Sequence, residues 1–252
     1  MEELDKNVEG GGETAIRKPP MKERLENFWY HYKWHSLVAL FLIITVLVCS
    51  LQMCTRTSYD IYITYAGYRE VKRTAVAGGS PYGEMVGSLE RITGDLDGDG
   101  ETNVSLRTLF IPSEEERELL LSENENLEIN EALVTEDRKT LDSEIVFGDN
   151  YVYFLSESLF LEYEDRYDGG LFLSLSELGK NTEGVKFASD NGNAVYLSSL
   201  KISSLPVLCD LPDDTVVCMR NLSEVSQVFG KAQNEENYRR GLSVIEAIFS
   251  FE

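Results

Sequence analysis

Asp95-Leu96-Asp97-Gly98-Asp99-Gly100 puts three carboxylates at alternate positions within six residues. Carboxylates so spaced can turn toward one centre, and Gly100 permits the sharp turn this requires. Hard divalent cations prefer oxygen donors, so the chemistry open to Asp95, Asp97 and Asp99 is calcium ligation. With no cation present, three acids this close repel one another and oppose the turn that carries them. The same residues also suit an acidic, Gly-rich turn between a helix and a strand that holds no ion.

Few other chemistries are open to the chain. Its two histidines, His31 and His35, lie together near the N-terminus. Everything beyond them lacks histidine, which excludes Ser–His and Cys–His catalysis and His-ligated zinc there. Four residues apart, the two could share a metal, but they fit better as polar groups at a membrane boundary. Cys49 and Cys54 lie in an apolar run. Cys209 and Cys218 flank the turn-forming sequence Asp-Leu-Pro-Asp-Asp. If the flanks pair as a hairpin, the two thiols face one another or miss by one register step. A disulfide and two free thiols are therefore both open. Gly78-Gly-Ser-Pro-Tyr-Gly83 lacks the Lys of a phosphate loop. Carboxylates are so abundant that no pair stands out as acid and nucleophile.

These residues must be positioned by a chain of 252 residues with a net charge of -21. Residues 57–252 hold 37 acidic and 16 basic side chains, so the imbalance falls after the apolar run. A domain this acidic repels nucleic acid and anionic lipid and suits cationic partners, metal ions or neutral ligands. Ser36–Thr55 contains no charged residue. At ~1.5 Å per residue it can cross ~30 Å of hydrocarbon. Trp29, Tyr30, Tyr32 and Trp34 crowd its N-terminal end like an interfacial aromatic belt. The region before it is too long for a cleaved signal peptide, and no small-x-small pair follows. Met53 before Cys54 departs from a lipoprotein signal, which leaves an uncleaved anchor. Lys and Arg are balanced on its two sides, so orientation rests on architecture. A short tail stays in the cytoplasm and a long following domain is exported.

Four regions result. Residues 1–20 form a disordered tail. Residues 21–34 form an amphipathic juxtamembrane helix with Leu25, Phe28, Trp29 and Tyr32 on one face. Residues 35–55 form the transmembrane helix. Residues 56–252 form an acidic extracytoplasmic domain of mixed α/β class. In that domain, alternation predicts strands over Tyr59–Tyr65, Val104–Ile111, Tyr151–Leu155, Ala194–Leu200 and Thr215–Met219. Ser80-Pro81 opens one helix, and Ser113-Glu-Glu-Glu116 opens another with a capping box. Further helices are expected over Thr135–Ile145, from Ser156, and from Asn234 onward. Strands alternating with helices give the fold class.

Three resemblances can be drawn. The stretch from Asp95 resembles the calcium loop of EF-hand and dockerin-type proteins. That resemblance implies further ligands at the Glu101 carbonyl and the Asn103 side chain. It also implies a bidentate acid at the twelfth place, where this chain has Leu106, so another carboxylate or water must complete the shell. The anchor region Phe28–Cys49, followed by a strand and Asp95–Gly100, is similar to a group of single-pass membrane proteins of anaerobic Gram-positive bacteria. That likeness spans the chain and brings no activity with it. Leu141–Phe160 is similar to part of extracellular solute-binding proteins, in which a helix ends at Gly-Asp, a strand follows, and the next loop meets ligand. It implies a domain like one lobe of such a protein.

The function expected is therefore a membrane-anchored binding or interaction module, stabilised by calcium and with no catalytic constellation. Its partners would be a solute or other membrane or cell-surface proteins, and not nucleic acid. The alternatives are a carboxylate-based hydrolase acting on wall or glycan polymers, and a structural subunit of a membrane complex.

Overall fold

The computed structural model describes residues 20–54, 58–73, 79–178, 184–222 and 230–251. Residues 1–19 of the expected tail and residues 55–57 lie outside them. The chain divides into two units at residues 56 and 57.

In the first unit, α1 (Met21–Cys54) is a single helix of 34 residues. No Gly or Pro interrupts it, so the two segments expected over 21–34 and 35–55 run together without a break. Phe28–Leu51 is long and apolar enough to cross a membrane, with mean hydropathy 2.3. The rings of Phe28 and Tyr32, one turn apart, stack at 5.3 Å.

The second unit is mixed α/β, as expected. Its elements are β1 (Ile61–Gly67), α2 (Pro81–Thr93), β2 (Val104–Phe110), α3 (Glu114–Glu123), α4 (Glu131–Phe147), β3 (Val152–Ser156), α5 (Glu157–Arg166), β4 (Ala194–Tyr196), β5 (Thr215–Met219) and α6 (Lys231–Ser250). The sheet order is β2-β1-β3-β5-β4. β1 pairs in parallel with β2 and β3, and β5 runs antiparallel between β3 and β4. β3 and β5 are buried along their whole length, as strands covered on both faces must be. Val152, Phe154, Val217 and Met219 face a core completed by α2 and α6. Tyr153, Leu155, Val216 and Cys218 face the opposite core, completed by α4 and α5. The period of two along each strand thus sends alternate side chains into two separate cores.

Local signals explain most element starts. At α3, the Ser113 hydroxyl accepts from the Glu116 amide while the Glu116 carboxylate accepts from the Ser113 amide. α4 begins before the expected Thr135, because the Asn130 side chain accepts from the amides of Ala132 and Leu133 and caps the helix there. Ser80 stands before α2 without capping it, since its hydroxyl donates to the carbonyls of Lys72 and Arg73. The flanks of Cys209 and Cys218 do not pair as a hairpin. Both edges of β5 are taken by β3 and β4, so the Cys209 flank coils into a short 3-10 turn over Leu208–Asp210. Cys209 is exposed, Cys218 is buried, and both are free thiols.

Candidate functional site

The acidic loop links α2 to β2 and is held by β1. Ile61 pairs with Val104 in parallel register, so the residues just before them, Asp60 and Asn103, are neighbours. Asp60 is 2% exposed. One of its carboxylate oxygens accepts from the amides of Leu96 and Asp97 and the other from the Asn103 amide. Asp95 folds the loop back on itself by accepting from the amides of Gly98 and Gly100. Gly98 and Gly100 both have positive φ, which a Cβ would oppose. Asp97 accepts from the Asp99 amide and from the Ser58 hydroxyl, and the latter lowers its carboxyl pKa.

Three carboxylates converge here: Asp60, Asp95 and Asp97 each bring one oxygen within 4.8 Å of the others. Of the five residues expected as ligands, Asp95 and Asp97 belong to this group. Asp99 turns its carboxylate to the Glu101 amide; Glu101, expected to ligate through its carbonyl, is an exposed residue, and Asn103, expected to ligate through its side chain, is tied to Asp60 through its backbone. Leu106 points into the core from β2. Asp60 thus brings a third carboxylate to the loop. All three donors are oxygens, which fits a hard cation such as calcium. Arg240 of α6 donates to the Asp60 carbonyl at 3.1 Å and contributes positive charge near Asp97.

The opposite edge of the sheet, about 20 Å away along the seven residues of β1, carries a second arrangement. The chain leaves β1 through α2 on one face to reach β2. It then leaves β2 through α3 and α4, with α4 on the other face, to reach β3. Connections that diverge in this way open a crevice at the carboxyl ends of the strands. A cavity of about 550 Å³ lies there, walled by Tyr68, Phe110, Leu120, Leu127, Val207 and Leu211. Arg69, Glu70, Lys72 and Asp210 add two charges of each sign. Val207 has φ 65 and ψ -36. That is a strained conformation for a β-branched residue, of a kind that collects at ligand sites.

Beside this cavity, hydroxyl and carboxyl groups pair along the same edge. The Tyr68 hydroxyl donates to Asp214 at 3.1 Å, Ser158 to Glu116 at 2.6 Å, and Tyr196 to Glu157 at 2.5 Å. Burial pushes the Asp214 carboxyl pKa up, and the charges of Glu116 and Glu157 push the same way. The bond to Glu157 carries the Tyr196 phenol up to about 12. Glu116 shows in the sequence only as the acid of a capping box, and the group as a whole forms no spaced motif, because its members come from five separate segments.

A third polar cluster is structural. Arg220, 1% exposed, donates to the carbonyls of Glu144, Ile145 and Gly148 and lies 4.6 Å over the Tyr151 ring. It bonds carbonyls at the end of α4, where a helix runs out of its own amide donors, and shares the Glu144 carbonyl with the Gly148 amide. Thr64 and Arg107 bond the Glu144 carboxylate.

Comparison of the chain with protein-family models, with curated proteins and with solved structures gave no match.

Proposed function

We propose that this chain is a membrane-anchored binding module that takes its ligand at the carboxyl ends of β1 and β2. The observation that carries the reading is the cavity of about 550 Å³ at the edge where the connections from β1 and β2 diverge. The strained Val207 in its wall supports it. So does the likeness of Leu141–Phe160 to part of solute-binding proteins. Over those residues α4 ends before Gly148, β3 follows, and α5 begins at the same edge. α1 is the anchor, with the tail in the cytoplasm and residues 57–252 outside. The oxygen cluster at Asp60, Asp95 and Asp97 takes calcium in a stiffening role, far from the ligand.

A second reading, a hydrolase of glycan polymers, draws on Asp214. Its pKa is raised toward that of a general acid, and Glu157 stands close enough to contribute.

The full chain in non-ionic detergent is melted against a panel of small solutes and soluble glycan fragments. At least one member should raise the Tm of the parent and not that of Leu120→Trp, which fills the cavity. If no member distinguishes the two proteins, the site is wrong. Release of shortened glycan that Asp214→Asn abolishes replaces binding with hydrolysis. Protease added to intact cells should remove residues 57–252, and protection until lysis would reverse the orientation.

A further inference from the structure

The wall of the carboxyl-edge cavity holds charges of both signs that do not pair with one another. Arg69 and Lys72 line it together with Glu70 and Asp210, and all four are exposed. Among the described residues none of the four forms an ion pair. Asp210 takes only a distant contact from the Cys209 thiol, at 3.9 Å. The next cation along the chain, Arg73, differs, because its guanidinium lies 4.7 Å over the Tyr82 ring.

The backbone beneath these side chains is fixed. Val71, between Glu70 and Lys72, is buried in the core. The Lys72 carbonyl accepts from the Tyr82 amide at 3.2 Å, and the Ser80 hydroxyl donates to the carbonyls of Lys72 and Arg73. Asp210 ends the short turn that begins after Val207, the residue held at φ 65. Strain of this kind persists only where the surroundings impose it, and it collects at ligand clamps. Much of the remaining wall is apolar, with Phe110, Leu120, Leu127 and Leu211 beside Val207.

Charge separates the ligands that such a wall can take. A neutral apolar ligand would strip water from four charges and return nothing to them. An ion of one sign would meet two opposite charges and two like ones. A molecule that carries both signs answers all four. Building on the ligand site proposed above, we infer that its ligand is a small zwitterion with an apolar body, such as an amino acid or a short peptide with free ends. Its carboxylate is met by Arg69 and Lys72 and its ammonium by Glu70 and Asp210, while the body lies along Phe110, Leu120 and Leu211. The cavity of about 550 Å³ falls in the ~300–1,000 Å³ range of small-molecule sites.

Leucine and leucyl-leucine, each with its N-acetyl and its carboxamide derivative, are titrated calorimetrically into the full chain in non-ionic detergent. At least one of the two zwitterions should bind, and both of its derivatives should bind more weakly by about tenfold or more. Asp210→Asn should weaken the zwitterion but not its N-acetyl derivative, so the ratio of their affinities falls. Lys72→Gln should lower the ratio of zwitterion to carboxamide in the same way. Both positions are exposed, and variants are compared only at matched melting temperature. A derivative that binds as tightly as its zwitterion overturns the inference, and if Leu120→Trp abolishes that binding the ligand site itself stands. Ratios unchanged in both charge variants overturn it as well, as does zwitterion binding that Leu120→Trp leaves intact. If no probe binds the parent at millimolar concentration, the inference falls, and the solute panel alone then decides the site.

Discussion

Asp60 and Asn103 hold one another across the start of the sheet. The Asp60 amide donates to the Asn103 carbonyl at 2.9 Å, and the Asn103 amide donates to the Asp60 carboxylate at 2.7 Å. This link fixes the acidic loop to β1, and it brings a third carboxylate to Asp95 and Asp97 from 35 residues upstream.

The first prediction concerns calcium at that point. Three carboxylates and no bidentate twelfth ligand fit the weak range of extracellular modules, ~10⁻⁴–10⁻³ M. Calcium at ten to one hundred times the dissociation constant stabilises by about 1.4–2.7 kcal/mol. For a domain of this size that raises Tm by roughly 3–10 °C. Asp97→Asn should melt close to the parent in chelator, because its side chain is solvent-facing and its amide oxygen can still accept from the Asp99 amide or the Ser58 hydroxyl, and should lose most of the calcium response. Asp60→Asn should melt lower even in chelator, since an amide cannot accept on both sides. Thermal melts of the full chain in detergent, with calcium or chelator, test both. A parent protein indifferent to calcium leaves the loop as an acidic turn.

The second prediction concerns Arg220. Its guanidinium bonds the carbonyls of Glu144, Ile145 and Gly148 while buried. Arg220→Met removes the buried donor from the Ile145 and Gly148 carbonyls, at about 1–3 kcal/mol for each acceptor left unpaired. Tm should then fall by on the order of 10 °C. Arg220→Lys should fall between, because an ammonium lacks the planar fork. A fall of under about 2 °C for Arg220→Met would show that α4 ends without its help.

Legibility in the sequence followed the range of the interaction. Capping at Ser113 and the alternation of Thr215–Met219 depend on neighbours along the chain, and both elements stand where the pattern puts them. The pairing of the Cys209 flank stayed open in the sequence because a hairpin competes with tertiary pairing, and β3 and β4 fill both edges of β5. At the acidic loop, Asp95 and Asp97 were visible as spacing. Asp60 was not, because only the parallel register of β1 and β2 brings it there. The carboxyl-edge site was invisible for the same reason. Tyr68, Glu116, Glu157, Tyr196 and Asp214 become neighbours only through strand order, and in a chain this rich in acid no one of them stands out beforehand.

The third prediction is a stability that falls as pH rises. Burial raises the carboxyl pKa of Asp137, Glu144, Glu164 and Asp214 above their ordinary values of 3.8 or 4.5. Opposing these shifts are the Phe110 amide at Asp137, Arg107 at Glu144 and Asn193 at Glu164. A raised pKa means that the folded state holds the proton more tightly than the unfolded chain does. The resulting stability is fully present below the ordinary values and is lost as pH rises through the folded ones. Repulsion within a chain of net charge -21 acts in the same direction. Asp97, with its lowered pKa, acts in the opposite direction, but it is a single solvent-facing group. In chelator, the full chain should melt higher at about pH 5 than at about pH 7.5. Glu144→Gln should flatten the slope, because it removes one of the four titrating groups while keeping an acceptor for Thr64. A Tm that climbs from pH 5 to pH 7.5 would mean that ion pairs such as Arg138–Glu162 and Arg166–Asp142 outweigh the buried acids. An unchanged slope in Glu144→Gln would move the effect to the other three carboxyls.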